Sequence, residues 1–150
     1  MKLKDIMSKS VVKIHPQENV EVAARLLTHY NIGALPVCDN AGRVVGVVTD
    51  RDLVTRCLAS NRAPGETKVR DIMTNRVVAA SGEMDVGVAA HLMAREQVRR
   101  LPIVESGKIL GMVSVGDLAC REEGSFDAAE ALEGICANIK NAEADFNKKI

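Results

Sequence analysis

The sequence predicts a mixed α/β (α+β) fold: two tandem β-α-β-β-α repeats related by a pseudo-twofold axis, followed by one C-terminal helix. Three observations predict it. The first is repetition. Asp5-Ile6-Met7 returns as Asp71-Ile72-Met73, Val11-Val12 as Val77-Val78, Ala23-Ala24 as Ala89-Ala90 and Leu35-Pro36 as Leu101-Pro102, always 66 positions on. After a one-residue gap near Ala41 the spacing becomes 65, and Gly46, Asp52, Leu53 and Arg56 return as Gly111, Asp117, Leu118 and Arg121. Self-similarity over about 55 residues marks a duplicated supersecondary unit. The second observation is that short β-branched runs alternate with helical periodicity inside each copy. The third is an amphipathic stretch that begins once the repeat has ended.

In the first repeat, Val11-Val12-Lys13-Ile14 reads as a short strand ended by His15-Pro16. Asn19 is a good helix N-cap, with Val20, Ala23, Ala24 and Leu27 on one face. That helix stops near Asn31-Ile32-Gly33, where Gly33 suits the C-terminal cap. Leu35 to Cys38 and Arg43 to Val48 form a hairpin around the turn residues Asp39-Asn40-Ala41-Gly42. Asp50 to Leu58 is a second helix. The second repeat copies this order: a strand over Val77 to Ala80, Asp85 as N-cap and Val86 to Arg95 as helix. A hairpin of Leu101–Val104 and Lys108–Val113 turns at Ser106-Gly107, and Gly116 to Arg121 opens the last helix of the repeat. Asn61 to Thr67 is a turn-rich linker. From Ser125 a further helix is expected, with Asp127 and Glu130 near its positive end and Lys148 and Lys149 near its negative end. Its Ala128, Leu132, Ile135, Ile139, Ala142 and Phe146 form an a/d seam. Such a seam is marginal alone and must dock on its own domain or on a second chain.

A chain of 150 residues is large enough to bury a real core. That core is aliphatic, because Trp is absent and Tyr30, Phe126 and Phe146 supply the aromatic rings. Few aromatics weigh against single-strand nucleic-acid binding by base stacking. Lys plus Arg equals Asp plus Glu at 20 each, so no net field draws the molecule to nucleic acid or to anionic lipid. Cys38, Cys57, Cys120 and Cys136 show no C-x-x-C pair and no zinc spacing, and read as small hydrophobes. His15, His29 and His91 are isolated, so no metal site is expected. No apolar run reaches the 18 or so residues of a membrane span. The start Met1-Lys2-Leu3-Lys4-Asp5 carries no signal-peptide stretch, and a cytoplasmic location is expected.

The sharpest local pattern is Gly46-Val47-Val48-Thr49-Asp50-Arg51-Asp52, matched by Gly111-Met112-Val113-Ser114-Val115-Gly116-Asp117. Each is a strand ending in a hydroxyl residue, with a carboxylate three positions on at a helix start. One reading is a capping box, in which Thr49 or Ser114 and the following Asp satisfy each other's backbone amides. The other is a ligand site. Free amides and a hydroxyl at a helix start suit a phosphate, and a carboxylate there can accept from both hydroxyls of a ribose.

With D-I-M, the V-V strand, the paired alanines, L-P and G-h-h-[ST]-x-x-D-L all present twice in one order, residues 2–121 resemble a tandem pair of CBS (cystathionine β-synthase) domains, a Bateman module. The domains are expected at 7–63 and 73–128, with the helix at 129–150 and the module spanning about 2–123. The resemblance implies two three-stranded sheets packed face to face, with two clefts that in many relatives bind adenine nucleotides. By position it places ribose contacts on Asp52 and Asp117 and phosphate contacts on Thr49 and Ser114. Its base-binding positions fall on Ser10, Val11, Val12 and Ile14 and on Arg76, Val77, Val78 and Ala80. Basic residues before the L-P of the opposite repeat commonly meet phosphate in relatives. Here they are Arg99-Arg100 in the second repeat against Gly33-Ala34 in the first, so the clefts are expected to be unequal. The Thr49/Asp52 cleft would face two guanidiniums, whereas Arg51 would serve the Ser114/Asp117 cleft from the other side.

No nucleophile-base-orienter set is visible, so a regulatory module is favoured over an enzyme, with no catalytic cofactor. The implied ligand is AMP, ADP or ATP, with Mg²⁺ as its companion ion. The implied assembly is a homodimer that signals to a target protein not named by the sequence. The alternatives are an interaction or structural module with empty clefts, or a sensor of another adenosyl compound such as NADH or S-adenosylmethionine.

Overall fold

The structure is a computed structural model that describes residues 1–120 and 128–137. In chain order its elements are α1 (Leu3–Ile6), α2 (Val20–Tyr30), β1 (Ala34–Cys38), β2 (Val44–Thr49) and α3 (Asp50–Asp52), which runs on into a π-helical segment, Leu53–Leu58. Then come α4 (Val69–Ile72), α5 (Val86–Glu96), β3 (Arg100–Glu105), β4 (Lys108–Ser114), α6 (Val115–Ala119) and α7 (128–137). They divide into two units. Residues 10–77 with 106–109 make the first-repeat unit, and residues 1–9, 78–105 and 110 onward make the second-repeat unit.

In the first-repeat unit the Asn19 side chain accepts the Val22 amide at 3.0 Å, which starts α2 and turns Val20, Ala23 and Leu27 into the core. The helix closes at Asn31, whose φ of 51° is left-handed. The cap is therefore Asn31 rather than the expected Gly33, and asparagine tolerates this conformation better than most residues. β1 and β2 pair antiparallel with Ala34 opposite Thr49. Their turn is held by Asp39, whose Oδ1 accepts the amides of Ala41 and Arg43 at 2.9 Å each.

The strand expected over Val11 to Ile14 is reduced to one parallel bridge, Ile14 to Val37. Proline explains the reduction. The Ile14 amide reaches the Pro36 carbonyl at 3.0 Å and the Cys38 amide reaches the Ile14 carbonyl at 2.9 Å. The next rung upstream needs an N–H from residue 36, and Pro36 has none. The second repeat repeats this logic: Ala80 bonds to the Pro102 carbonyl at 3.0 Å and accepts from Val104 at 2.9 Å, so Val77 to Ala80 is likewise a single bridge. Each sheet is thus a two-stranded ladder with a bridge on the β1 or β3 side.

The opening helices change places. α4, which begins the second repeat in sequence, buries Val69 and Ile72 in the first-repeat core beside Val20, Leu27, Leu35, Val37 and Val48. Thr74 then pairs with Val47 in both directions, at 2.9 and 3.0 Å. Conversely, α1 buries Leu3 and Ile6 in the second-repeat core among Ala89, Met93, Leu101, Ile103 and Leu118. Ser8 and Met112 exchange two hydrogen bonds of 2.9 Å.

Asp85 caps α5 by accepting the Gly87 amide at 3.0 Å, and that bond holds its carboxyl below the ordinary value. The helix ends at Gln97, φ 56°. The expected helix from Asp50 to Leu58 is α-helical for three residues and π-helical for the next six, closing with the Ala59 amide on the Val54 carbonyl. α7 docks on its own unit, burying Ala128, Ala131 and Ile135. Leu132, expected on that seam, is 45% exposed. The face is rotated because the helix lies very close to α5: a Cβ on Gly134 would sit 2.8 Å from the Ala94 Cβ. Only small side chains fit such an approach, so Ala131 takes the inner place. His91 and Glu130 pair at 2.9 Å across the two helices. Ser125, Asp127, Ile139, Ala142, Phe146, Lys148 and Lys149 lie outside the described residues.

Candidate ligand-binding site

The hydroxyl-and-carboxylate motif folds as a capping box in both copies. In the first, the Asp52 amide donates to Thr49 Oγ1 at 3.1 Å while the Thr49 amide donates to Asp52 Oδ2 at 2.9 Å. In the second, the Asp117 amide reaches Ser114 Oγ at 3.1 Å, and the Ser114 amide and hydroxyl both donate to Asp117 Oδ2, at 2.7 and 2.8 Å. Each box fixes one carboxylate oxygen against the backbone. Asp52 Oδ1 meets Arg56 Nε at 3.7 Å, an ion pair too long to be a hydrogen bond. On Asp117, the bonds from the Ser114 amide and hydroxyl both fall on Oδ2. Asp52 is 9% exposed and Asp117 half-buried, so both carboxylates stand at the edge of solvent with their rotamers set.

The other expected residues divide between the units. Ser10, Val12, Ile14, Arg51 and Arg76 belong with Thr49 and Asp52, while Val78, Arg99 and Arg100 belong with Ser114 and Asp117. Ile14 is buried in its core, with Val12 packed against it, and Val78 packs the same way on the other core. Ser10, Arg51, Arg76, Arg99 and Arg100 are exposed. The backbone ties each pre-L-P residue to its own unit's capping box, since the Asp50 amide donates to the Gly33 carbonyl at 3.0 Å and the Val115 amide to the Arg99 carbonyl at 2.9 Å. In the second-repeat unit this ties the Arg99 backbone to the start of α6, next to Ser114.

Arg56 was not among the expected site residues, yet it contacts Asp52 and also donates from Nη1 to the carbonyls of Ile72 and Met73, at 3.1 and 3.3 Å. Its recurrence as Arg121 was the available signal. The cysteines expected as small buried hydrophobes divide: Cys38 and Cys57 are buried, desolvation pushing the Cys38 thiol up and Cys57 Sγ donating to the Arg62 carbonyl at 3.4 Å, whereas Cys120 and Cys136 are exposed. Among the described residues no cluster of three or more His, Cys, Asp or Glu is placed to hold a metal, and no helix is long and apolar enough to cross a membrane.

Two duplicated α/β units, each closing on a capped carboxylate, define a tandem repeat of one small domain type. The CBS domain model matches residues 3–59 and 69–121, and the chain belongs to the CBS domain family. It is 37% identical over 133 residues to the CBS domain-containing protein YhcV of Bacillus subtilis, covering 89% of this chain and 94% of that one. YlbB of the same organism, an uncharacterized protein, is 37% identical over 147 residues, 97% of this chain and 99% of the relative. Among solved structures, the CBS domain pair of protein MJ0100 in complex with 5-methylthioadenosine and S-adenosyl-L-methionine matches with a TM-score of 0.73 and 28% identity, over 83% of this chain and 98% of that one. Hypoxic Response Protein I, solved with two coordinated zinc ions, matches with a TM-score of 0.75 and 27% identity, over 81% and 98%.

Proposed function

We propose that this protein is a non-enzymatic regulatory module that binds an adenine nucleotide, AMP, ADP or ATP, through its two CBS repeats and passes the binding event to a partner protein. The observation that carries this reading is the pair of capped carboxylates. Asp52 and Asp117 are each locked by Oδ2 to the backbone, leaving Oδ1 as the acceptor that the cap does not use. Preorganised acceptors of this kind suit vicinal ribose hydroxyls, because little side-chain entropy remains to be lost on binding. Val12 and Val78 supply apolar edges for the base and Ser10 and Arg76 polar ones, with Ile14 buried in the core. Thr49, Ser114, Arg51, Arg99 and Arg100 supply phosphate donors, and Mg²⁺ would accompany a polyphosphate. The adenosyl ligands of the MJ0100 pair favour S-adenosylmethionine as the second reading, with NADH in the same class.

Thermal melting with ATP, ADP, AMP, NADH and S-adenosylmethionine tests this directly. A ligand at about 100 times its Kd stabilises the fold by roughly 2.7 kcal/mol, and a module with empty clefts shows no shift with any compound. In the doubly substituted Arg99→Ala/Arg100→Ala protein, ATP affinity is expected to fall about tenfold while adenosine affinity holds, since a charge-assisted contact contributes about 1.5–3 kcal/mol. Equal losses for both compounds would remove the arginines from the phosphate role.

We also propose a homodimer. Val54 and Leu58, four apart on the π-helical segment, are 56% and 61% exposed and leave an apolar patch for a second copy. Light scattering should give twice the chain mass for the full protein, and for a chain ending at Glu123 if that patch rather than the C-terminal helix joins the copies. A monomer at micromolar concentration counts against the dimer.

A further inference from the structure

We propose that Arg56 is a positioning residue that couples the Asp52 carboxylate to the end of helix α4, so that the state of Asp52 is felt by residues 72–74. The inference deepens the proposed function and rests on it for the identity of the ligand. Its structural part stands alone. One guanidinium presents two edges. Nε faces Asp52 Oδ1 at 3.7 Å, and Nη1 donates to the Ile72 and Met73 carbonyls at 3.1 and 3.3 Å. Those carbonyls belong to the last turn of a four-residue helix, where the backbone has no intrahelical donors and a cation is favoured. A lysine ammonium is a point charge and cannot serve both sides in this planar manner.

The consequence follows from competition. Asp52 Oδ1 faces Arg56, while Oδ2 is held by the Thr49 amide. Hydroxyl donors arriving at Oδ1 compete with the guanidinium, which then shifts its hold on α4. Beyond α4 lies Thr74, paired in both directions with Val47 in the strand that leads to Thr49. The Asp52–Arg56–α4 set therefore joins the carboxylate to the stretch that runs from α4 through Thr74 to the end of the first-repeat unit at Val77. The first repeat thereby owns a route for reporting occupancy that runs through α4, whose Val69 and Ile72 are part of its core.

Hydrogen exchange at the Met73 and Thr74 amides reads this out, since both are bonded in the structure, to the Val69 and Val47 carbonyls at 2.9 Å. In the ligand-free protein, Asp52→Asn keeps an acceptor for the Thr49 amide but removes the charge facing Arg56. It is expected to change exchange at both amides by roughly threefold, and to do so no longer when Arg56→Met is already present. Arg56→Lys should restore only part of the coupling. Additive effects of Asp52→Asn and Arg56→Met at these amides would overturn the inference whether or not any ligand binds. In a second arm, saturating ATP or S-adenosylmethionine should alter exchange at Met73 and Thr74 in the native protein but not in Arg56→Met. If neither compound binds the native protein, the proposed function fails while the ligand-free arm still decides the coupling. If a compound binds and leaves both amides unchanged, the coupling does not carry ligand occupancy and the inference is overturned.

Discussion

Replacing Gly111 by Ala is expected to lower the urea midpoint of the protein sharply, by the equivalent of roughly 3 kcal/mol. A Cβ at this position would lie 2.7 Å from both the Met7 sulfur and the Ser8 carbonyl oxygen. The thioether can swing aside. The carbonyl cannot, because it accepts the Met112 amide while the Ser8 amide bonds back to Met112. Relief requires the 7–9 segment to leave the sheet, breaking both bonds and loosening α1, whose Leu3 and Ile6 are core residues. Overpacking costs about 1–3 kcal/mol and each backbone hydrogen bond about 1 kcal/mol. Gly46→Ala should behave alike in the first-repeat unit, where the Thr74 oxygen would be 2.9 Å away. Two controls set the scale. A Cβ added to Gly42 would meet nothing within 4 Å, but φ there is 80°, so Gly42→Ala should cost only its backbone strain, about 1 kcal/mol. A Cβ on Gly116 would meet Ser114 Oγ at an ordinary 3.5 Å inside a helix, so Gly116→Ala should be neutral or slightly stabilising. A Gly111→Ala midpoint no lower than that of Gly42→Ala would refute the packing argument.

These glycines also show what a linear reading reaches. Gly46 and Gly111 were visible as repeated residues, and their purpose was not, because the atoms that crowd them come from Met73-Thr74 and Met7-Ser8. Local signals were dependable where the interaction is local. Asn19 and Asp85 cap their helices, both hairpins turn where Gly42 and Gly107 permit, and both capping boxes form from residues three apart. Features set by distant partners escaped. Val11 and Val77 carry strand composition, yet the ladder stops at Ile14 and Ala80 for want of an N–H on Pro36 and Pro102. The exchange of α1 and α4 between repeats depends on which core closes over Leu3 and Val69, and no spacing within a repeat encodes that choice. Leu132 fits an a/d pattern, but the short distance between Gly134 and Ala94 decides which face turns inward. For the site, the carboxylates were legible from repetition, whereas Arg56 acquires meaning only when α4 is seen beside it.

Asp52→Ala is expected to produce the largest change in ligand affinity, and the comparison with Thr49→Ala separates its two roles. Both substitutions break the same capping box, and each should cost about 1 kcal/mol of stability. Thr49→Ala frees the Asp52 amide but leaves the carboxylate in place, with the amide of residue 49 still able to bond Oδ2. Asp52→Ala removes the acceptor offered to ribose as well as the partner of Arg56. Hydrogen bonds to a charged group contribute about 1.5–3 kcal/mol each, so adenosine affinity should fall roughly ten- to a hundredfold in Asp52→Ala. In Thr49→Ala adenosine affinity should change only a few-fold, the greater loss falling on ATP if Thr49 serves phosphate. Asp117→Ala and Ser114→Ala repeat the test in the second copy, where the Ser114 hydroxyl also donates to the carboxylate and its removal should slightly free Asp117. Calorimetric titration with adenosine and ATP, alongside urea midpoints, distinguishes the cases. If Asp52→Ala loses stability to the same extent as Thr49→Ala and binds adenosine as tightly as the native chain, the carboxylate is a cap and nothing more. If it loses affinity while Thr49→Ala retains it, one carboxylate performs both tasks, Oδ2 anchoring the backbone and Oδ1 meeting the ligand.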